Sequence, residues 1–520
     1  MQLTMAWKMA PIPYPAIFPW QLISLFNQLN PYIMKKTWLP IVCFFACLVL
    51  SCSKDYFDRY PTDLPAVDNF FTDEVSIRQV LNDAYYSLRG SYRYNFVFGD
   101  LAADGVYDSK FNNSSAHITI NESNVVADNM IVSATWDSSY ATIARANLVL
   151  NNIGNIDMDN EKKSRYINEA KFLRALMYFN LVRIYGDVPL IVKDMKTPAE
   201  AFTYGREPVN KVYEQIITDL TAAQDLPAMY ADNQDIGRAT RWAAKGMLAK
   251  VYLTLKRYAD ANTLLQELVT SPVGAGANSF HLLPDFARVF DAANPNNAEV
   301  IFAVQYARGF DPAQGNPFVE DAFANEDIGT GILRRGTGTF LMTEELSALY
   351  AANDLRLQMN KRLQGSRRSY VFTRKYFDAG MTTKLDAGND WIVLRYADID
   401  LMYAEVQNEL GNPTAAFPYL QAVRQRAGLT TDTHLQTDQA AMRSAIELER
   451  RLELACEGHR WFDLLRTGRL ITVMNAHFKS NLSDDEIGKG NSVEQYELLF
   501  PVPRYQVNLN PGKIIQNTGY

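Results

Sequence analysis

Between Glu449 and Gly468 the chain sets four arginines and four acids into twenty residues, and still keeps Leu448, Leu452 and Ala455 at helical spacing. A run this charged and this regular has one economical solution: a helix with an apolar face toward a core and a dense Arg/Glu lattice on the rest. Gly458 stands where a glycine ends a helix. Trp461, Phe462, Leu464 and Leu465 then form a short second helix, which Gly468 terminates. The block is predicted to be a helix corner. His459, with Glu457 or Asp463 nearby, invites a catalytic reading. A lone histidine in a charged corner, with no nucleophile or metal set beside it, is expected to be structural.

The rest of the body reads as helix. Apolar residues recur with helical period over Asn69–Arg89, Trp136–Ile153, Glu161–Tyr185 and Val212–Leu226. Gly186-Asp187-Val188-Pro189-Leu190 marks a turn into an extended piece. Two segments carry small and aromatic residues at the spacing of tetratricopeptide helix pairs. One holds Ala249, Tyr252, Tyr258 and Ala261; the other, within Tyr396–Gly428, holds Ala404, Gly411 and Ala416. The predicted class is mainly all-α: a tetratricopeptide-type scaffold of up to four helical pairs, with little strand and long irregular loops. Those loops are Gly90–Met130, Phe280–Thr343 and Tyr370–Asp390. Binding function concentrates in such loops.

Charge and cysteine usage narrow the class. The formal net charge is −7, and three lysines but no acids precede Cys52, so the remainder is more acidic still. A nucleic-acid partner, which needs clustered basic residues, is not expected. Of four cysteines only Cys456 lies in the body, which excludes a disulfide framework there. Cys456 falls on the apolar side of its helix and reads as a buried, inert thiol. Met34-Lys35-Lys36 followed by the apolar run Thr37–Ser51 has the form of a secretory signal, too short to span a membrane comfortably. Pro11, Pro13, Pro15, Pro19 and Pro31 break any helix before it, so Met34 is the expected initiator. Residues 1–51 are thus read as leader: 33 untranslated residues, then a signal peptide over 34–51.

Val49-Leu50-Ser51-Cys52 resembles a bacterial lipobox, which makes lipidated Cys52 the expected mature N-terminus. Trp136-Asp137-Ser138-Ser139-Tyr140, Ala144-Arg145-Ala146-Asn147, Glu169 through Leu176, Leu181 through Leu190, Leu394 through Asp398 and Met402 through Glu405 are phrases similar to those of the SusD/RagB family. The block at Glu449–Gly468 and the ending Phe500-Pro501-Val502-Pro503 through Tyr520 resemble it as well. Cys456 departs from that pattern, in which an aromatic residue is more usual. The resemblance implies one SusD-like domain over 52–520, with an N-terminal part to about residue 235 and a C-terminal part from about 236. It implies a nutrient-binding lipoprotein of the outer membrane, facing the cell exterior. Such a protein hands an oligosaccharide, or in the RagB branch a peptide, to a TonB-dependent transporter of the SusC type. It can also serve as a lid with little affinity of its own. The acidic residue Asp55, just behind Cys52, resembles a surface-export signal.

No enzyme is expected. The chain has no Gly-x-Ser-x-Gly elbow, no phosphate loop and no spaced His/Cys set for zinc. No cofactor is expected either. Asp157 through Glu161 and Asp484-Asp485-Glu486 could hold structural calcium, but solvated acidic turns or helix N-terminal charges account for them. Sugar capture uses flat rings beside polar side chains. Trp136, Trp242, Trp391 and Trp461 all fall in or beside scaffold helices, so stacking is expected on loop tyrosines and phenylalanines. The candidates are Tyr92, Tyr94, Phe96 and Phe111 in the first loop, and Phe310, Phe318 and Phe323 in the second.

Overall fold

The computed structural model describes residues 70–110, 114–270, 280–323, 336–364, 369–480 and 490–520. The leader, Cys52, Phe111 and Asp484-Asp485-Glu486 lie outside the described residues. Nine helices of 13 residues or more build the scaffold among those described: α1 Glu74–Tyr92, α2 Met130–Asn152, α3 Asn160–Tyr185, α4 Val209–Ala223, α5 Arg241–Thr254, α6 Tyr258–Thr270, α7 Tyr396–Glu409, α8 Pro413–Arg426 and α9 Gln439–Glu453. Their starts are written in short polar residues. Asp73 accepts the Ser76 N–H at 2.9 Å while Ser76 Oγ accepts the Asp73 N–H, a capping box that starts α1 at Glu74 rather than at Asn69. Asn129 accepts the Ile131 N–H at 2.8 Å and starts α2. Asp159 accepts the Lys162 N–H at 2.9 Å and starts α3, so this acid serves as a helix cap. Gly186, at φ 74°, ends α3.

Each helix from α1 to α7 packs on the next one in sequence, and α7 then packs on both α8 and α9. The short links between α2 and α3, α5 and α6, and α7 and α8 make those neighbours antiparallel, the geometry of stacked helical pairs. Of the small residues named from sequence, Ala249, Ala261, Ala404 and Ala416 are fully buried in the scaffold, whereas Gly411 is exposed at φ 85° just past the end of α7, with nothing near its Cα for a side chain to meet. Gly246 on α5 lies so near a strand that an added Cβ would come within 2.5 Å of Leu394.

Strand is scarce, as expected. Eight strands, none longer than five residues, are described: β1 Val106–Tyr107, β2 Val188–Pro189, β3 Arg206–Glu207, β4 Val300–Val304, β5 Leu341–Met342, β6 Asn360–Gln364, β7 Ser369–Thr373 and β8 Trp391–Arg395. One antiparallel sheet has the order β1-β5-β7-β6; β2 pairs with β3, and β4 with β8, where the register is irregular between Val300 and Ala303. Both β4 and β8 are buried throughout; β4 reads as a short continuous apolar run, and β8 does so up to its last residue, Arg395.

Three readings change. Gly90–Met130 is not simply a loop: Phe96, Val97, Phe98 and Leu101 are wholly buried, and Ser115–Asn121 is helical. Polar flanks hid this apolar stretch. Helix α9 stops at Glu453, before Gly458, and the chain then turns through Cys456 at φ 67° and Gly458 at φ 81°. Cys456 is buried, but in that turn rather than on a helix face, and burial pushes its thiol well up. The turn exists to meet the Phe96–Leu101 segment. A Cβ on Gly99 would lie 2.2 Å from the Gly458 carbonyl, and Asp100 accepts the Gly458 N–H.

The charged lattice is real and lies inside. Arg395 donates to Glu457 Oε2 at 2.7 Å, Glu299 at 2.8 Å and Glu453 at 2.6 Å. Arg356 bridges Asp354, Glu449 and Glu453, and Lys375 reaches Glu457 at 2.6 Å. Arg426 joins Glu299 to Glu453. Ions this deeply buried persist only when fully paired. His459 belongs beside this lattice. Burial, then the Lys250 ammonium 3.1 Å from its Nδ1, push it down to about 3, so it is a neutral acceptor.

Candidate functional site

Helix α1 ends in a polar face that carries chemistry. Tyr86, Arg89 and Arg93 fall at i, i+3 and i+7 and therefore project from one side. The Arg89 guanidinium carbon lies 4.9 Å from the Tyr86 ring centroid and 5.2 Å from that of Tyr306, so the cation sits between two rings. Its Nε donates to the Gln305 carbonyl at 2.8 Å and its Nη1 to the Gln314 side chain. Arg93 pairs with Asp321 at 2.7 Å and lies 5.4 Å from the Tyr94 ring. Tyr86 is 51% exposed and Phe310, four residues beyond Tyr306, is 60% exposed. Asp390 accepts the Tyr306 N–H at 2.8 Å, and burial pushes its carboxyl up to about 7.

The segment that brings Tyr306 here, and that also carries Phe310, is fastened along its length. Ala307 bridges to Gln314 and Asn316 to Ala387. The Gly309 N–H reaches Asp386 at 2.8 Å, and a Cβ on Gly315 would lie 2.2 Å from the Asp386 Cα. Asp311-Pro312 is a cis peptide bond. A face of two tyrosines, two arginines and an amide can stack apolar ring faces and bond hydroxyls.

The aromatic residues expected from sequence divide sharply. Tyr92, Phe96, Phe318 and Phe323 are buried. Phe318 packs at 4.3 Å from Phe96 and against Phe340, Tyr376 and Trp391; Phe323 packs on Phe372 and Phe377. Rings enclosed in this way have no face left for a ligand, so these four are core and not site. Their positions in loops concealed it, because the loops fold inward. Tyr94 is half-buried and lies 5.4 Å from the Arg93 guanidinium, while Phe310 is exposed on the segment that carries Tyr306. Sequence reasoning missed Tyr86, Arg89, Arg93 and Tyr306. An aromatic residue on the polar side of α1 was the available signal.

A groove of about 530 Å³ runs elsewhere, along α2 beside Met195, Phe202 and Leu509. Three of its polar side chains are committed: Asn147 to the Ile191 carbonyl, Asn510 to the Tyr204 carbonyl and Asp137 to Tyr505. It offers apolar wall but few free donors. No group of three His, Cys, Asp or Glu that could hold a metal occurs among the described residues.

Known proteins place this architecture. The model of the SusD family matches residues 357–520, and that described as starch-binding associating with outer membrane matches 55–253. A SusD-like protein of Formosa agariphila is 28% identical, over 90% of this chain and 96% of its own. A solved laminarin-binding SusD-like protein is 26% identical with a TM-score of 0.72, covering 86% of this chain and 100% of its own. The surface glycan-binding protein A of Bacteroides thetaiotaomicron, solved in complex with laminarihexaose, shares the fold at 22% identity and a TM-score of 0.71, again over 86% of this chain and 100% of its own. The chain belongs to the SusD/RagB family.

Proposed function

We propose that this protein is a cell-surface lipoprotein that binds an oligosaccharide without catalysis and presents it to a SusC-type TonB-dependent transporter of the outer membrane. The observation that carries the reading is the Tyr86–Arg89–Tyr306 arrangement, a half-buried cation held between the exposed Tyr86 ring and a ring on a segment fastened in place. A sugar has apolar C–H faces that suit such rings and hydroxyls that suit Arg89, Arg93 and Gln314. Glycan binding by the laminarin-binding relative supports the same ligand class. The family description supports attachment at the outer membrane. Anchoring through Cys52 follows from the lipobox resemblance.

Calorimetry of the purified protein against neutral and acidic glycans and mixed peptides tests the reading. A saturable glycan signal that Tyr306→Ala weakens at least tenfold, about 1.4 kcal/mol, and that the exposed Tyr86→Ala also weakens with the melting temperature unchanged, is the expected result. A peptide signal alone would move the protein to the RagB-like reading. Glycan binding indifferent to both Tyr306→Ala and Arg89→Ala would remove the site.

A further inference from the structure

The segment that carries Tyr306 also borders a second cleft, of about 500 Å³. Phe290, Met359 and Phe377 supply its apolar surface, and Arg288, Arg308 and Arg374 supply its charge. Two of these guanidiniums have carboxylates of their own. Arg288 pairs with Asp291 at 2.5 Å, and Arg308 pairs with both oxygens of Asp378 at 2.5 and 2.7 Å. Asp378 is itself fixed by the N–H groups of Gly380 at 2.8 Å and Gly388 at 2.7 Å. Arg374 differs. Its guanidinium lies 5.0 Å from the Phe377 ring centroid and meets no carboxylate among the described residues. Three cations and two acids line the cleft, so it is positive on a chain whose net charge is −7.

An exposed arginine stacked on a ring, with its donors pointing to no internal acid, is laid out to take a planar or tetrahedral anion in a bidentate manner. Arg308 follows Tyr306 by two residues, roughly 7 Å of extended chain. One ligand chain can therefore reach both the Tyr86–Arg89–Tyr306 face and this cleft. We infer that the Arg288–Arg308–Arg374 cleft binds the anionic group of an acidic saccharide, a carboxylate or a sulfate ester, and makes acidic oligosaccharides the preferred ligands of this protein. This rests on the glycan-binding reading above and specifies its ligand class.

The test is calorimetry of the full chain at low and moderate salt with three sets of oligosaccharides of equal length: neutral glucans, uronic-acid oligomers and sulfated glucans. At least one acidic set is expected to bind tenfold or more tightly than the neutral set, with the advantage shrinking as salt rises. Which acidic set binds distinguishes carboxylate from sulfate. Arg374→Gln, an exposed change, is expected to abolish the advantage and leave neutral binding unaltered. Inorganic sulfate is expected to compete with the acidic ligand only. Equal affinity for neutral and acidic sets, or an advantage that survives both Arg374→Gln and Arg308→Gln, would overturn this inference and leave the glycan reading intact. Binding to none of the three sets would overturn both.

Discussion

Replacing Arg395 by Met asks how much the buried lattice contributes. Arg395 is 1% exposed and makes five hydrogen bonds, to both oxygens of Glu457, to one each of Glu299 and Glu453, and to the Glu453 carbonyl. Methionine fills much of its volume but removes the charge. Each orphaned carboxylate keeps another cation: Glu457 keeps Lys375, Glu299 keeps Arg426, and Glu453 keeps Arg356 and Arg426. The loss therefore falls toward the lower end of the roughly 3–5 kcal/mol that breaking a buried pair costs, and we expect about 3 kcal/mol at pH 7. The pH dependence carries a sign. Burial pushes the Glu453 and Glu457 carboxyls up, but the surrounding cations, Arg395 among them, hold both well below the usual range. That stability is present above the unfolded carboxyl value and is lost as pH falls. In Arg395→Met the same carboxyls titrate higher and can discharge in the folded state, so the deficit shrinks as pH is lowered from 7 toward 4. Urea unfolding followed by circular dichroism at both pH values measures this. A deficit below about 1 kcal/mol at pH 7, or one that grows toward pH 4, would refute the argument.

Two further outcomes follow from single contacts. Gly99→Ala puts a Cβ against the Gly458 backbone, which has no side chain to swing aside; a loss of roughly 3 kcal/mol or more in urea unfolding is expected, against less than 1 for Gly154→Ala, where nothing lies within 4 Å. Asp100 and Asp390 are both pushed by burial up to about 7. Their contribution is full below the unfolded value and is lost as pH rises through 7, so the melting temperature is expected to fall between pH 5 and 8, and Asp390→Asn to flatten that fall. A melting temperature that climbs over this range would contradict the assignment.

The scaffold was legible because its rules are local. Helical period, capping residues and the alanines at 249, 261, 404 and 416 act within a few turns of chain. The charged block announced a lattice for the same reason, since its own spacing demands one. Its partners Glu299, Arg356, Lys375 and Arg426 were not legible, because they arrive from distant segments. The site suffered most from this limit. Whether a loop aromatic faces water depends on what folds over it: Phe318 and Phe310 are eight residues apart in one predicted loop, and one is 2% exposed while the other is 60% exposed. Tyr306 lies two residues past the end of β4, which pairs with β8, and nothing within that run marks it as a neighbour of Arg89, which lies more than two hundred residues earlier.

The fastening of residues 305–316 bears on discrimination among ligands. Because Gly309, Asn316 and Asp386 hold that segment before anything arrives, a ligand of matching curvature spends none of its contact energy on ordering the protein. A ligand of another curvature meets a surface that does not bend toward it. If the face binds glycans as proposed, it would sort them by rigid fit, favouring chains whose solution shape already suits it.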